Sequence, residues 1–204
     1  MWVRVATFEG GDTGKLNKLM DERMSSGEMA QPAGMSGALV LDDTDAKKRK
    51  FCAFFESRDA LESAEAGFDQ LGDTIPEEIR GKRTTVHYYE VVIYDGAVEA
   101  AKAARVSLFE GSPDSIDAGI EKARNETLPK VRAIAGNVGA IGLADRDNGR
   151  VSIITLWDNS DSMRASTSEA DRLRQRTADM TDQKIANVAL YNVSMAQTLA
   201  GTRA

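Results

Sequence analysis

The sequence predicts an α+β fold in which two tandem βαββαβ repeats pack their antiparallel sheets face to face. Three observations predict it: the chain repeats itself, strand and helix patterns alternate within each copy, and the strands are apolar on both faces. Residues 4–10 recur as residues 105–111, with five of seven positions identical (RVATFEG and RVSLFEG). Further recurring blocks are residues 33–39 with 135–141, 55–61 with 157–163, and 86–91 with 188–193. Four blocks repeated in one order indicate an internal duplication.

Each copy carries the same succession of local signals. A strand pattern that ends at Glu-Gly is followed by apolar residues at helical spacing and then by a hairpin. In the second copy Asn148-Gly149 marks the hairpin, because both central residues of such a turn tolerate positive φ. Ser57 and Asn159 are N-cap candidates for the second helix. The last strand of each copy is predicted at residues 86–93 and 188–193.

The repeats divide the chain into a first unit at residues 1–95 and a second at residues 105–204. The linker at residues 96–104 is rich in alanine, which favours a short helix over a loose tether. Each unit is of the ferredoxin-like kind, with both helices on one face of a four-stranded sheet.

The bulk composition excludes several classes of protein. A formal charge of −6 over 204 residues argues against nucleic-acid binding, which needs a surplus of Lys and Arg. Cys52 is the only cysteine, so neither an intrachain disulfide nor a thiolate metal cluster is possible. No run of about 18 apolar residues or signal-like stretch exists, so we expect no membrane span and a cytoplasmic protein.

The strands indicate a cavity. Tyr89 and Val91 alternate with Tyr88 and Val92, so both faces of that strand carry apolar side chains. Leaving such a face in water would forfeit about 25 cal/mol per Å² and invite aggregation. The duplicate sheet is expected to cover it, and the space between the sheets is a natural cavity for a small molecule.

The chain resembles the antibiotic biosynthesis monooxygenase-like group of the dimeric α+β barrel superfamily. The resemblance lies in the turns into the hairpins (residues 32–34 and 135–136) and in the strand-end aromatics before capped helices (residues 55–59 and 157–161). It covers each half once, and it implies that one polypeptide supplies what is usually a homodimer. It leaves open whether the whole chain dimerises further. This superfamily includes cofactor-free oxygenases, haem-degrading enzymes, isomerases and proteins without known activity.

His87, the only histidine, is a candidate catalytic proton acceptor facing the cavity, with a half-buried strand residue as the alternative. Tyr89 and Tyr191 occupy equivalent positions and are expected to face the same pocket. A buried phenol needs a partner, which is a ligand or a backbone carbonyl.

Four further residues are candidates for the ligand pocket. Trp157 and its counterpart Phe55 end the third strand of each repeat, where they either stack on an aromatic ligand or fill core volume. Arg4 and Arg105 recur as well. If they point between the sheets, they require a carboxylate or an anionic ligand, and otherwise they extend to solvent.

We expect no cofactor and no metal. The resemblance implies an axial histidine on the second helix for haem degradation, and residues 58–71 and 160–173 contain none. No G-x-G-x-x-G motif follows a strand. The leading hypothesis is a cofactor-independent monooxygenase acting on a hydrophobic or aromatic compound, which the protein binds in a dry pocket. The alternatives are a non-catalytic ligand-binding or stress-related protein, indicated by an intersheet space under about 300 Å³, and an assembly module.

Overall fold

The computed structural model describes residues 1–26, 31–43 and 45–198, and it contains the βαββαβ succession twice. The first repeat consists of β1 (Trp2–Glu9), α1 (Thr13–Ser26), β2 (Met35–Asp43), β3 (Lys48–Phe55), α2 (Arg58–Asp73), α3 (Glu77–Arg80) and β4 (Lys82–Gly96). The second consists of β5 (Ala103–Glu110), α4 (Ile116–Lys122), α5 (Leu128–Arg132), β6 (Asn137–Asp145), β7 (Arg150–Trp157), α6 (Ser160–Ala165), α7 (Thr167–Thr181) and β8 (Lys184–Thr198). A π-helical turn, Ala123–Thr127, joins α4 to α5.

The strands of the two repeats form one closed antiparallel barrel. Their order around the barrel is β1-β3-β2-β8-β5-β7-β6-β4. The last strand of each repeat therefore pairs with the other repeat, with Val40 of β2 opposite Met195 of β8 and Tyr94 of β4 opposite Ile141 of β6. The predicted pair of ferredoxin-like repeats, joined as an intramolecular barrel, is confirmed.

The main core lies inside this barrel. Residues at alternate positions of each strand point inward, among them Val3 and Val5 of β1 and Cys52 and Phe54 of β3. The opposite faces are covered by the helices: Phe55 packs there in a cluster with residues of α2. Both faces of each sheet are thus covered, as the apolar pattern on both sides of the strands requires.

Local signals in the sequence account for the boundaries of several elements. The Ser57 side chain accepts a hydrogen bond from the Ala60 amide at 3.1 Å, and Asn159 accepts one from the Ser162 amide at 2.8 Å. Between β4 and β5 the chain makes one 3-10 turn, Val98–Ala100, which seats a buried Val98 in the barrel core. The repeat boundaries and the cytoplasmic location stay predictions. Among the described residues, no helix has the length and apolarity needed to cross a bilayer.

Candidate functional site

A large cleft lies in the first repeat, between the helix-facing side of its sheet and the helices that cover it. Its volume is about 710 Å³, within the range of ligand sites. Strands β1, β2 and β3 supply the floor, together with Met195 from β8 of the second repeat. The strands contribute Arg4, Phe8, Val40, Arg49, Phe51, Lys82, Arg83, Ser194 and Met195 to the lining. The helices and the residues between them contribute Leu16, Asn17, Met20, Asp21, Phe68, Asp69, Leu71, Gly72, Asp73, Ile75, Glu77 and Arg80.

Aromatic and aliphatic side chains form much of the cleft wall. The rings of Phe51 on β3 and Phe68 on α2 meet edge to face, with centroids 6.1 Å apart and an interplanar angle of 68°. Leu16 and Met20 on α1 lie one turn apart and so share one face of that helix. Such a surface suits a flat or hydrophobic molecule, because aromatic rings pack favourably edge to face or offset.

The two arginines on the cleft floor, Arg4 and Arg49, are held by carboxylates. Arg4, which is 2% exposed, donates from Nε and Nη2 to the two carboxylate oxygens of Glu65 at 2.7 and 2.8 Å. These hydrogen bonds are the main reason that the pKa of Glu65 lies below its usual value. Arg49 donates to both oxygens of Asp42 at 2.5 and 3.1 Å and to Oδ1 of Asn17 at 2.7 Å. These hydrogen bonds connect β1 to α2, and β3 to β2 and α1.

The rim of the cleft is polar and carries charges of both signs. Arg83 donates to Asp69 at 2.6 Å. Arg80, by contrast, donates only to the backbone carbonyls of Ile75 and Gly81, at 3.2 and 3.1 Å, and has no carboxylate within 4.0 Å in the described part of the chain. Its guanidinium therefore keeps donors available for a ligand oxygen.

The corresponding cleft of the second repeat is almost filled, with a volume of about 70 Å³. At the offset of 102 residues Gly72 corresponds to Arg174, whose side chain is 9% exposed and donates from Nε to Ser107 at 3.0 Å. Leu128 and Val131 of α5 also line this remnant. A Cβ on Gly72 would meet nothing within 4 Å, so the first repeat has space where the second has a side chain.

A third cavity, of about 290 Å³, lies inside the barrel at one end. His87 and Tyr89 of β4 line it, together with Lys50 of β3. Burial lowers the pKa of His87, and the nearby cations Arg150 and Lys50 lower it further, so the ring is neutral at pH 7. Burial also raises the pKa of Tyr89 to about 12. This volume is slightly below the approximate 300 Å³ that a drug-sized ligand requires.

The predicted site residues fall into three separate places. His87 and Tyr89 line the barrel cavity, and Tyr191 is buried in the barrel core with its pKa raised to about 12 by burial. Neither alternative for Arg4 and Arg105 describes them: both point toward the helices, and each is only 2% exposed. Phe55 and Trp157 face the helices too.

The roles of these four helix-facing residues follow from their neighbours. Arg4 lines the large cleft, and Phe55 packs under α2 beside it, with its ring centroid 6.2 Å from that of Phe68. Arg105 and Trp157 line the remnant cavity of the second repeat. Their part in ligand binding stays a prediction, and so does the catalytic part of His87.

Residues that the sequence patterns did not single out shape the large cleft, above all Gly72, Phe68 and Arg80. The aligned repeats contain one signal that could have found it: the change from Gly72 to Arg174 at equivalent positions of the second helix. Among the described residues, no group of three or more His, Cys, Asp or Glu side chains could hold a metal ion.

The fold defines the class of protein: a ferredoxin-like α+β barrel contained in one chain. An anthrone oxidase-like protein superposes over the whole of this chain and 95% of its own, with a TM-score of 0.68 and 16% identity. An uncharacterized ferredoxin-fold protein of Listeria monocytogenes related to antibiotic biosynthesis monooxygenases covers 95% of each chain, with a TM-score of 0.53 and 10% identity. The resemblance indicated by the repeats is confirmed at the level of the fold.

A heme-degrading enzyme of Listeria monocytogenes shares the fold as well, with a TM-score of 0.56 and 10% identity over 94% of this chain and 99% of that one. No protein-family profile matches the chain. Two uncharacterized proteins of Mycobacterium tuberculosis are 36% and 30% identical to it over 77 residues, or 38% of this chain. The match spans about a third of the length of these curated relatives, 33% and 34%.

Proposed function

We propose that the chain is a small-molecule-binding barrel protein whose ligand, a hydrophobic or aromatic compound, occupies the cleft of the first repeat. The observation that carries the proposal is the difference between the two clefts, about 710 Å³ against about 70 Å³, within one duplicated framework. A packed interior is the default for proteins, so a cleft kept open in one copy alone is best explained by an occupant.

The lining supports an aromatic ligand with a polar substituent. Phe51 and Phe68 offer ring edges and faces to a flat molecule. Arg80 offers guanidinium donors that no carboxylate of the described residues occupies, and these suit a carbonyl or phenolate oxygen. The ligand would thus have its rings between the sheet and α2 and its oxygen toward α3.

We further propose cofactor-independent monooxygenase activity. The ligand loses a proton from an acidic CH₂ group, and the resulting carbanion reacts with dioxygen. One oxygen atom becomes a carbonyl on that carbon, and the other leaves as water with the two hydrogens. Asp21 and Asp73 line the cleft without an ion-pair partner among the described residues, which makes them available proton acceptors.

Binding is tested with 1-anilinonaphthalene-8-sulfonate, an aromatic probe whose fluorescence rises in an apolar site. Gly72→Phe places a ring in the cleft, and we expect it to weaken binding at least about tenfold, which corresponds to about 1.4 kcal/mol. Gly67→Phe is the matched control: it lies on the same helix, outside the cleft, and an added Cβ there also meets nothing within 4 Å. Equal binding by the two variants would refute the cleft as the ligand site.

Catalysis is tested by measuring oxygen uptake with anthrone. We choose anthrone because it has an acidic CH₂ group and because one of the similar structures is an anthrone oxidase-like protein. We expect consumption of one dioxygen per anthrone oxidised, lost in Gly72→Phe and retained in Gly67→Phe. Binding without oxygen uptake, for anthrone and related CH-acidic aromatics, would refute the monooxygenase activity and leave the binding proposal intact.

One observation favours a non-catalytic ligand-binding protein as the second candidate. The described lining of the cleft contains no His, Cys or Tyr, so carboxylates are its only groups that accept a proton readily at neutral pH. This candidate expects probe binding that depends on Gly72 together with no turnover of any CH-acidic aromatic compound.

A further inference from the structure

The cavity at the end of the barrel interior has the features of a second binding site, separate from the cleft. We propose that it binds a small amphipathic carboxylate, such as the anion of an aromatic or short aliphatic carboxylic acid. The β-sheet lies between the two sites, because the cleft faces the helices and this cavity faces the barrel interior. The proposal therefore does not depend on the ligand of the cleft.

The inner end of the cavity is apolar. Val5 and Cys52 from the first repeat meet Val106 and Ile154 from the second, and all four are buried. Leu143, 1% exposed, closes the floor. A volume of about 290 Å³ suits a compound of roughly ten non-hydrogen atoms rather than a drug-sized one. The hydrocarbon part of the ligand would lie here, where it removes apolar surface from water.

The outer end is rich in hydrogen-bond donors. The Lys50 ammonium donates to Thr7 Oγ1 at 3.2 Å and has no carboxylate within 4.0 Å among the described residues. Arg150 donates to Glu110, the only carboxylate of the described lining, at 3.1 Å. The lining therefore has one cation more than it has anions. A half-buried ammonium without a counter-ion is costly, and a bound carboxylate would supply that counter-ion.

The duplication makes this site possible. The cavity contains equivalent positions of both repeats: Val5 with Val106, Cys52 with Ile154, and Lys50 with Ser152, as the strand registers show. In a homodimer of identical subunits, a lysine at this place would face its own copy and be repelled. In the tandem chain the equivalent position holds Ser152, so Lys50 is the one cation of the described lining that lacks a carboxylate partner.

His87 lines the same cavity as Lys50, so the pKa of His87 can report ligand binding there. The groups that act on it are Lys50 on β3, Arg150 on β7, and Asp145 at the end of β6, with Glu110 of β5 and Tyr89 of β4 also lining the cavity. The two cations lower the pKa of His87, and Asp145 raises it. A carboxylate bound next to Lys50 neutralises part of the positive field, so its binding must raise the pKa of His87.

The test is a nuclear magnetic resonance titration of the His87 ring, which is unambiguous because the chain contains one histidine. The probes are benzoate, the uncharged benzyl alcohol of similar shape, and inorganic phosphate. We expect saturable shifts with benzoate and a rise of the His87 pKa by about half a pH unit or more. Benzyl alcohol should leave the pKa of His87 unchanged.

Lys50→Met should weaken benzoate binding at least about tenfold, and Lys50→Arg, which keeps the charge, should retain it within about fivefold. Lys48→Met is the matched control, because it also removes a positive charge from β3. Lys48 pairs with Glu9 and does not line the cavity. Gly72→Phe, which blocks the cleft, should leave benzoate binding unchanged.

Each contrary result overturns a stated part of the proposal. Unaltered benzoate affinity in a folded Lys50→Met variant would refute the role of Lys50. Equal affinity for phosphate and benzoate would refute the amphipathic ligand, since the apolar floor would then contribute nothing. Loss of benzoate binding in Gly72→Phe, with Lys50→Met unaffected, would assign benzoate to the cleft and refute the second site.

Discussion

Arg4 and Arg105 occupy equivalent positions in the two repeats, but among the described residues only Arg4 has a carboxylate partner. Arg4 pairs with Glu65, and its guanidinium lies 4.6 Å from the centre of the Phe68 ring. Arg105 instead donates to Ser166 Oγ at 3.0 Å and to the carbonyl oxygen of Met163 at 2.6 Å. Burial accordingly lowers the pKa of Arg105. The repeats have kept the arginine and diverged in what surrounds it.

The Arg4–Glu65 pair predicts the cost of removing its carboxylate. Glu65→Gln leaves Arg4, 2% exposed, without its counter-ion, and we expect a loss of about 2 kcal/mol in the free energy of unfolding. The control is Glu62→Gln on the exposed face of α2, where the pair with Arg58 should contribute little because solvent screens it. Urea denaturation of both variants measures the difference. Similar values for the two would contradict the importance of the buried pair.

The same pair predicts a pH dependence. The pKa of Glu65 in the folded protein lies below its ordinary value of 4.5, so its contribution is fully present above that pH and is lost as the pH falls through the folded pKa. The stability difference between the wild-type protein and Glu65→Gln should therefore be constant from about pH 7 to pH 5 and shrink in more acidic solution. A difference that persists at pH 2 would contradict the assignment.

Of the two roles that the sequence leaves open for Trp157, its complete burial favours filling core volume over contact with a ligand. It is fully buried, and its indole Nε1 donates to Thr155 Oγ1 at 3.1 Å. Trp157→Phe should lower the free energy of unfolding by about 1–3 kcal/mol and leave probe binding in the first cleft within twofold. Trp2→Phe, at a half-buried position on β1, should cost less. Weakened binding with unchanged stability would instead support Trp157 as a ligand residue.

The placement of Arg4 and Arg105 shows which features of the site the sequence predicts and which it does not. Period-two alternation correctly puts Arg4 with Phe8 and His87 with Tyr89 on common faces. The alternation does not indicate which face of a strand points into the barrel, because both faces are apolar. One face is buried by the helices and the other by the opposing sheet. The missing information lay in the helices: Glu65 on α2 supplies the carboxylate that Arg4 requires.

The cleft could not be predicted for a different reason. The volume of the cleft depends on which side chains the covering helices place over the sheet. The effect of Gly72 and Phe68 on that volume can be judged only once the position of α2 is known. The repeat framework, by contrast, follows from many weak signals that agree, including the caps at Ser57 and Asn159. The repeated order of sequence blocks therefore predicts the fold more reliably than the sequence predicts the surroundings of any single side chain.

Cys52 is predicted to be unreactive in the folded protein. It is 1% exposed, and burial raises its pKa to about 12. At pH 8 the thiolate fraction is then about 1,000-fold or more below that of a free cysteine, so labelling by a disulfide reagent should be slower by at least that factor. Because the chain contains one cysteine, the labelling rate in rising urea reports opening of the barrel. Rapid stoichiometric labelling without urea would show that the interior admits solvent freely.

The barrel predicts that the first repeat cannot remain a folded monomer on its own. In a fragment of residues 1–95, β2 loses its pairing with β8 and β4 loses its pairing with β6. The inward side chains of Val3, Leu39 and Phe54, all buried in the whole chain, would then face water. We expect the fragment to self-associate or unfold, because exposed strand edges and an apolar sheet face both favour association.

Light scattering and circular dichroism measure the outcome. Added residues 96–204 should convert the first fragment into a folded one-to-one complex, because the second repeat restores both missing strand pairs and covers the sheet. A non-associating monomer of residues 1–95 with native-like circular dichroism would contradict the mutual covering of the two sheets. The cavity at the barrel end would then lose its physical basis, since its walls come from both repeats.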